Sequence, residues 1–292
     1  MKISPQCFPC LVNQVVQAAR RAGAVDLDEL LHQCFSYLST ADFQRQTSPE
    51  LVGEVFAIVK RVLNCPDPYL SLRRQYNQLF LRCEPALESR ILSHDDPFHL
   101  AVVYAICANL VDFGPIHNGS LAGMEQDLPG WFRSHEGDAF SIDHSDRLRQ
   151  AASRAHTLLY LADNCGELCV DKLLIRRLRG LNPSLQVIYG VRGQPVLNDT
   201  IKADAYEVGM NDVAAVLSNG SAAAGTELHL VSPAFRRAFD QADVIIAKGQ
   251  GNYESLSDCS HPGLFFLLVP KCDSIAQSIG VPHHTLVCRQ AL

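Results

Sequence analysis

The chain has 292 residues, 47% of them hydrophobic and 19% charged, a globular balance that excludes a disordered tail protein, a collagen and a coiled coil. Its 25 Lys and Arg against 31 Asp and Glu give a formal charge of −6, so it carries no basic footprint for general nucleic-acid binding. A chain of this length buries about three quarters of its unfolded surface and needs neither metal nor disulfide to stay folded.

Residues 1–150 read as a helical N-terminal domain. After Pro9, the apolar Val12, Val15, Val16 and Ala19 fall at helical spacing. Ser48-Pro49-Glu50 reads as a Ser cap, a Pro in the first turn and an acid. Leu51, Val55, Ile58, Val59 and Val62 then line one face. Asp96-Pro97 repeats the start signal ahead of an apolar helix expected to reach about Leu110. The apolar run 101–108 within it falls short of the ~20 residues a membrane span requires. The N-terminal MKISPQCFPC lacks the apolar core of a signal peptide. A soluble, cytoplasmic protein with no membrane partner is expected. Residues 119–145, rich in Gly, His and acids, read as loop or linker, and no convincing strand precedes residue 155.

The pattern then changes. Short apolar runs at 157–162, 185–191, 243–247 and 264–269, with a fifth at 285–288, alternate with helical stretches at 170–178, 234–242 and 273–279. Strands buried on both faces and separated by helices predict a mostly parallel sheet in an α/β/α layered domain over residues 151–292. The cysteines number 11, an odd count, and most lie in apolar segments. Cys34, Cys65, Cys83, Cys107 and Cys288 therefore read as core filler rather than a disulfide framework.

In open α/β sheets, ligands bind at the carboxyl ends of the strands. There the first strand delivers Asp163 and Asn164, and the second Arg192 followed by Pro195, Asn198 and Asp199. The third delivers Lys248 with Gly249, Gly251 and Asn252. Two carboxylates and an amide oxygen make a hard, all-oxygen set suited to Mg²⁺ or Mn²⁺. A lysine and glycine-freed backbone N–H groups suit a phosphate. Each signal alone has a plainer reading, since Asp-Asn-x-Gly and Asp199-Thr200 are ordinary turn or cap sequences. Lys248-Gly249 alone would be a solvated lysine before a turn. Their recurrence at consecutive strand ends favours one joint site. Two tempting motifs fail. Gly249-Gln250-Gly251 starts like a dinucleotide fingerprint, but Glu254 stands at the third glycine. Asp112-Phe113-Gly114 lacks the companion kinase motifs.

Four ordered motifs resemble the DUF89 family, the damage-control phosphatases with an ARMT1-like metal-binding fold. They are Ala108-Asn109-Leu110-Val111-Asp112, Asp163-Asn164-Cys165-Gly166-Glu167 with Asp171, the segment from Arg192 to Thr200, and the segment from Lys248 to Glu254. Cys7-Phe8-Pro9-Cys10 and Lys271-Cys272 look like the prokaryotic, stand-alone branch. The resemblance implies a divalent-metal-dependent phosphatase, using Mn²⁺, Co²⁺, Ni²⁺ or Mg²⁺, for sugar phosphates or damaged side-product metabolites. By matching position, Asp163, Asn164 and Asp199 are implied metal ligands and Lys248 the phosphate holder. Asn109 and Asp112 would reach the substrate from the helical side, and Arg192, Gly249 and Asn252 are further substrate-binding residues. Glu167 and Asp171, four apart, share a helix face. Glu167 reads as a site residue, with Asp171 behind it; Asp199 or Glu167 could act as base. A structural or redox role for Cys7, Cys10 and Cys272 stands beside plain core packing, and Cys165 and Cys169 read as helix packing. Trp131 is read as a rim aromatic or a pocket wall. The alternative from another class is a protein that binds metal and a phosphorylated ligand without turnover.

Overall fold

The computed structural model describes residues 1–111 and 127–291. Helices α1 (Cys7–Arg21), α2 (Asp28–Leu38) and α3 (Ser48–Val62) pack around Leu11, Val15, Leu51, Val55 and Val59. The first helix begins two residues before Pro9, and Leu11 and Ala18 join Val15 and Ala19 on its buried face while Val12 and Val16 are half-buried. The cap of α3 is Thr47, not Ser48: its side chain accepts the Glu50 N–H at 3.2 Å. Both residue types cap well, so spacing alone leaves a one-residue ambiguity. Asp96 caps α5 (Pro97–Cys107) as expected, accepting the Phe98 and His99 N–H groups. That helix is apolar all round because it is buried all round. It lies against α4 (Leu70–Leu92) and the sheet and ends in a 3₁₀ turn, Ala108–Leu110. Among the described residues, no helix is long and apolar enough to cross a membrane.

Among the described residues of the stretch read as loop lie two elements, α6 (Leu128–Ser134) and a strand, β1 (Phe140–Asp143). Both are short, and the strand alternates half-buried and exposed residues, so neither leaves the apolar run that marks the interior strands. Helix α7 (Ser145–Arg154) then leads into β2 (Thr157–Leu161), α8 (Glu167–Leu181), β3 (Gln186–Val191), α9 (Lys202–Glu207) and β4 (Ala215–Ser218). The chain continues as α10 (Pro233–Gln241), β5 (Val244–Lys248), α11 (Gly249–Leu256), β6 (Leu264–Leu268), α12 (Asp273–Ile279) and β7 (Leu286–Gln290).

Among the described residues these strands form a seven-stranded sheet, ordered β1-β7-β6-β5-β2-β3-β4. All neighbouring pairs are parallel except β6–β7. The α/β class and mostly parallel layered sheet are as expected. Period 2 sorts the strand residues between two faces. Leu158, Tyr160, Tyr189 and Ile246 face α4, α5 and α8, whereas Leu159, Leu161, Ile245 and Ala247 face α10, α11 and α12. The order turns at β2, with β3 on one side and β5 on the other. The helices after β2 and β5 leave on opposite faces, which opens a crevice at their carboxyl ends. A buried Arg73, held between Asp67 at 2.6 Å and Asp204 at 3.0 Å, ties α4 to α9 beside that crevice.

Candidate active site

The strand ends converge through the backbone first. Asn164 and Asp199 form an isolated antiparallel bridge. The Thr200 N–H donates to the Asp163 carbonyl at 2.8 Å, and the Cys165 N–H to the Asn198 carbonyl at 2.9 Å. The loops after β2 and β3 are thereby one structural unit. Gly249, the residue after β5, has φ +75°, and a Cβ there would lie 1.9 Å from Asp163 Oδ2. Only glycine lets the third strand end approach the first this closely.

Asp163, Asn164, Glu167, Asp171, Arg192, Asp199, Lys248 and Asn252 are all buried, as is Asn109 from the 3₁₀ turn after α5. The Asn109 Nδ2 donates to Asp163 Oδ2 and Glu167 Oε1, both at 2.9 Å. The Asn164 Nδ2 spans the same two oxygens, at 2.9 and 2.8 Å. Two amides thus clamp a pair of carboxylates. Lys248 Nζ donates to Glu167 Oε2 at 2.9 Å and Asp171 Oδ1 at 2.8 Å. Arg192 donates to Asp199 Oδ2 at 2.6 Å and to Asn252 Oδ1 at 3.1 Å, and lies 3.5 Å from Asp163 Oδ1.

Four buried carboxylates therefore face two buried cations, a surplus of two negative charges. Burial, and then the Glu167 and Asp199 carboxylates, push Asp163 well above the ordinary carboxylate range against the pull of Arg192. Burial also raises Asp171, with Lys248 pulling the other way. Burial by itself would lower Lys248, but Asp171 and Glu167 outweigh it and hold the ammonium above its ordinary value. Among the described residues, the buried Asn109 Oδ1 has no hydrogen-bond partner. An orphaned amide oxygen beside excess carboxylate charge fits a hard divalent cation. Among the described residues, no three His, Cys, Asp or Glu side chains group as a metal site. A cation here would take amide oxygens and solvent along with the two aspartates.

A cavity of about 160 Å³ opens onto this cluster. Asp163, Asn164, Asn198 and Asp199 form its floor; Gln250, Gly251 and Lys271 form one wall, and Gln14 of α1 lies on another. None of the described residues expected to hold substrate is part of the cavity lining. Asn109, Arg192, Lys248, Gly249 and Asn252 do not line the cavity but brace the side chains that do. Asp112 lies outside the described residues. Asn198, one of the strand-end polar residues, lines the cavity, and Lys271 and Gln250 reach it without having been singled out as site residues. The fourth strand ends in Pro270-Lys271, so the strand-end rule applied once more would have found the lysine.

Cys7, Cys10 and Cys272 line the same cavity, and all three are free thiols. Cys272 accepts a long contact from Gln250 Nε2 at 3.6 Å. Cys165 and Cys169 are buried in the core beneath α8, so packing is their role. Trp131 packs on His135 and Phe132, centroids 4.1 and 5.1 Å away, and is not among the described residues lining this cavity. Glu254, half-buried at the cavity edge, is pushed by burial up to about 7, against the pull of the N-terminal amine. A carboxyl raised on folding adds stability below its unfolded value, and that stability is lost as pH rises through the folded one. The melting temperature of the wild type relative to Glu254→Gln is therefore expected to decline between about pH 4.5 and 7. A pH-independent difference in parallel thermal melts would refute this.

Residues 3–287 match the damage-control phosphatase ARMT1-like domain family. A damage-control phosphatase of Pyrococcus horikoshii is 32% identical over 290 residues, covering 99% of this chain and 98% of that protein. A damage-control phosphatase of Archaeoglobus fulgidus is 30% identical over 286 residues, covering 96% of each. The crystal structure of a DUF89 family protein from Pyrococcus horikoshii superposes with a TM-score of 0.91 at 30% identity, covering 100% of both chains.

Proposed function

This chain belongs to the damage-control phosphatase ARMT1-like family, and from that premise we propose that it is a divalent-metal-dependent phosphatase of small phosphomonoesters. The observation that carries the reading is one cavity shared by Asp163 and Asn164 after β2, Asp199 after β3 and Lys271 after β6. Asp163, Asn164 and Asp199 would hold Mn²⁺, Co²⁺, Ni²⁺ or Mg²⁺. Such an ion supplies Lewis-acid charge that offsets developing charge on phosphoryl oxygens.

The chain's own residues supply the rest. Lys271 places a point charge on the cavity wall. The first N–H groups of α11, at Gln250 and Gly251, have no intrahelical partner and suit an anion. Arg192 fixes Asp199, and Asn109 fixes Asp163 against Glu167, so the floor needs little rearrangement as a phosphate arrives. A cavity of about 160 Å³ is close to the ~150 Å³ space that accepts a single benzene ring. A cavity of this size suits a small phosphorylated metabolite.

Among the described residues, the buried Asn198 Nδ2 and Gln14 Oε1 have no hydrogen-bond partners, and both residues line the cavity. An alcohol donates and accepts, so it complements either amide end. These features support a small hydroxylated metabolite, such as a sugar phosphate or a damaged side product. Gln14→Leu is expected to lower the preference for ribose 5-phosphate over phenyl phosphate about tenfold. An unchanged ratio of kcat/KM values would remove Gln14 from recognition. A cytoplasmic location without nucleic-acid or membrane partners belongs to the same reading.

The deciding experiment is p-nitrophenyl phosphate hydrolysis by metal-stripped protein titrated with each of the four cations. Metal-restored turnover is expected. Metal and phosphate binding with no turnover of any ester would instead indicate a binding protein, because equal affinity for ground and transition states gives no acceleration.

A further inference from the structure

Motif matching assigns Lys248 to the phosphate. The geometry points to a different role: we infer that Lys248 is a positioning residue that sets Glu167, and through it the Asn109, Asn164 and Asp163 array, without touching phosphate. The inference rests on the phosphatase reading of the cavity.

The Lys248 side chain is wholly buried and is not part of the cavity wall. Two of its three N–H donors are engaged, by Glu167 Oε2 at 2.9 Å and Asp171 Oδ1 at 2.8 Å. Asp171 is itself a fixed point. Tyr160 of β2 donates to its Oδ1 at 2.7 Å, and Tyr189 of β3 to its Oδ2 at 2.8 Å. The two rings stack with centroids 5.5 Å apart.

Strand register explains the convergence. Tyr160 pairs with Tyr189 on one side and Ile246 on the other, and Lys248 lies two residues beyond Ile246 on the same face. Asp171 and Glu167 descend one turn apart on α8 toward that face. A rigid line of contacts therefore runs from two sheet tyrosines through Asp171, Lys248 and Glu167. It ends where Glu167 Oε1 accepts both asparagine amides that also hold Asp163 Oδ2. Swinging the ammonium to a phosphate would strip the cation from two buried carboxylates, which a buried pair resists strongly.

The test compares Lys248→Met, Glu167→Gln and the double variant in the full chain loaded with Mn²⁺. Steady-state kinetics would be read alongside calorimetry of inorganic phosphate. A positioning role predicts that Lys248→Met lowers kcat about a hundredfold, as a misplaced site does. KM and phosphate affinity should stay within about threefold, well short of the loss expected for a removed ionic contact. The double variant should be no slower than the slower single one.

A loss of phosphate affinity of about tenfold or more with kcat retained would overturn the inference. So would multiplying effects in the double variant. Should Lys248→Met fail to fold, Lys248→Arg keeps the charge and is expected to show the same split between kcat and KM. Phosphate binding without turnover in the wild type would defeat the enzyme reading alone, and unchanged phosphate affinity in the lysine variant would still support the inference. Absence of phosphate binding in the wild type would overturn both.

Discussion

Asp163→Ala is expected to abolish divalent-metal binding and phosphomonoesterase activity together while leaving the fold intact. Asp163 lies on the cavity floor and gathers contacts from three elements: Asn109 after α5, Asn164 after β2, and Arg192 after β3. Removing the carboxylate takes away one of the three groups proposed to hold the cation. The loss in kcat/KM should be on the order of a thousandfold or more, the scale of losing a preorganised electrostatic group.

The fold should tolerate the change, because two opposing effects offset each other. Asp163 is buried and repelled by Glu167 and Asp199, so its removal relieves strain of charge. The two asparagine amides lose one acceptor but keep Glu167 Oε1. A stability change within about 2 kcal/mol follows, because the lost acceptor and the relieved repulsion oppose each other. Calorimetric Mn²⁺ titration and thermal melts of the variant check both halves. Retained turnover would end the assignment of Asp163, and a collapse in melting temperature would show that the cluster holds the fold rather than the chemistry.

Gly249→Ala is expected to come close to that loss without touching any polar side chain. At φ +75° a Cβ costs about 1–2 kcal/mol in backbone strain alone. The same Cβ would sit 1.9 Å from Asp163 Oδ2, an impossible approach, so the carboxylate must leave its two amide donors. Activity should fall about a hundredfold, the usual consequence of a 1 Å displacement of reacting groups. The melting temperature should fall by several degrees, at about 2–4 °C per kcal/mol for a large domain. Gly23→Ala is the control. Gly23 has φ +77° but nothing within 4 Å of its added Cβ, so it carries the strain without the collision. It should lower stability and leave kcat/KM unchanged. Equal losses of activity in the two variants would refute the steric account.

These expectations show where the site was legible from the chain alone. Asp163-Asn164, Arg192 with Asp199, and Lys248-Gly249 stand at the ends of apolar runs, and an apolar run followed by polar residues is a local pattern. The parallel topology then forces those ends onto one edge, so the cluster was readable before any contact was known. The helix after Asp96 was equally plain, because an all-apolar stretch can only be an interior element. Strands β1 and β4 were not readable. Each has four residues and at most half-buried side chains, so its pairing is decided by a neighbour far along the chain: β7 for β1 and β3 for β4.

The amino-acid sequence by itself determined the α/β class, the mostly parallel sheet, and which polar residues stand at the strand ends. Periodicity and strand-end chemistry depend only on neighbours along the chain. Which residues face the cavity was decided by the tertiary structure alone. A lysine after a strand is the same signal whether its ammonium meets a phosphate or a carboxylate, since both are anions. Only the arrival of Glu167 and Asp171 from one side, and of Lys271 from the next strand over, separates a brace from a wall. The cavity itself, closed by Gln14 and the cysteines of the first helix against strand ends more than 140 residues away, exists only once the two parts are packed together.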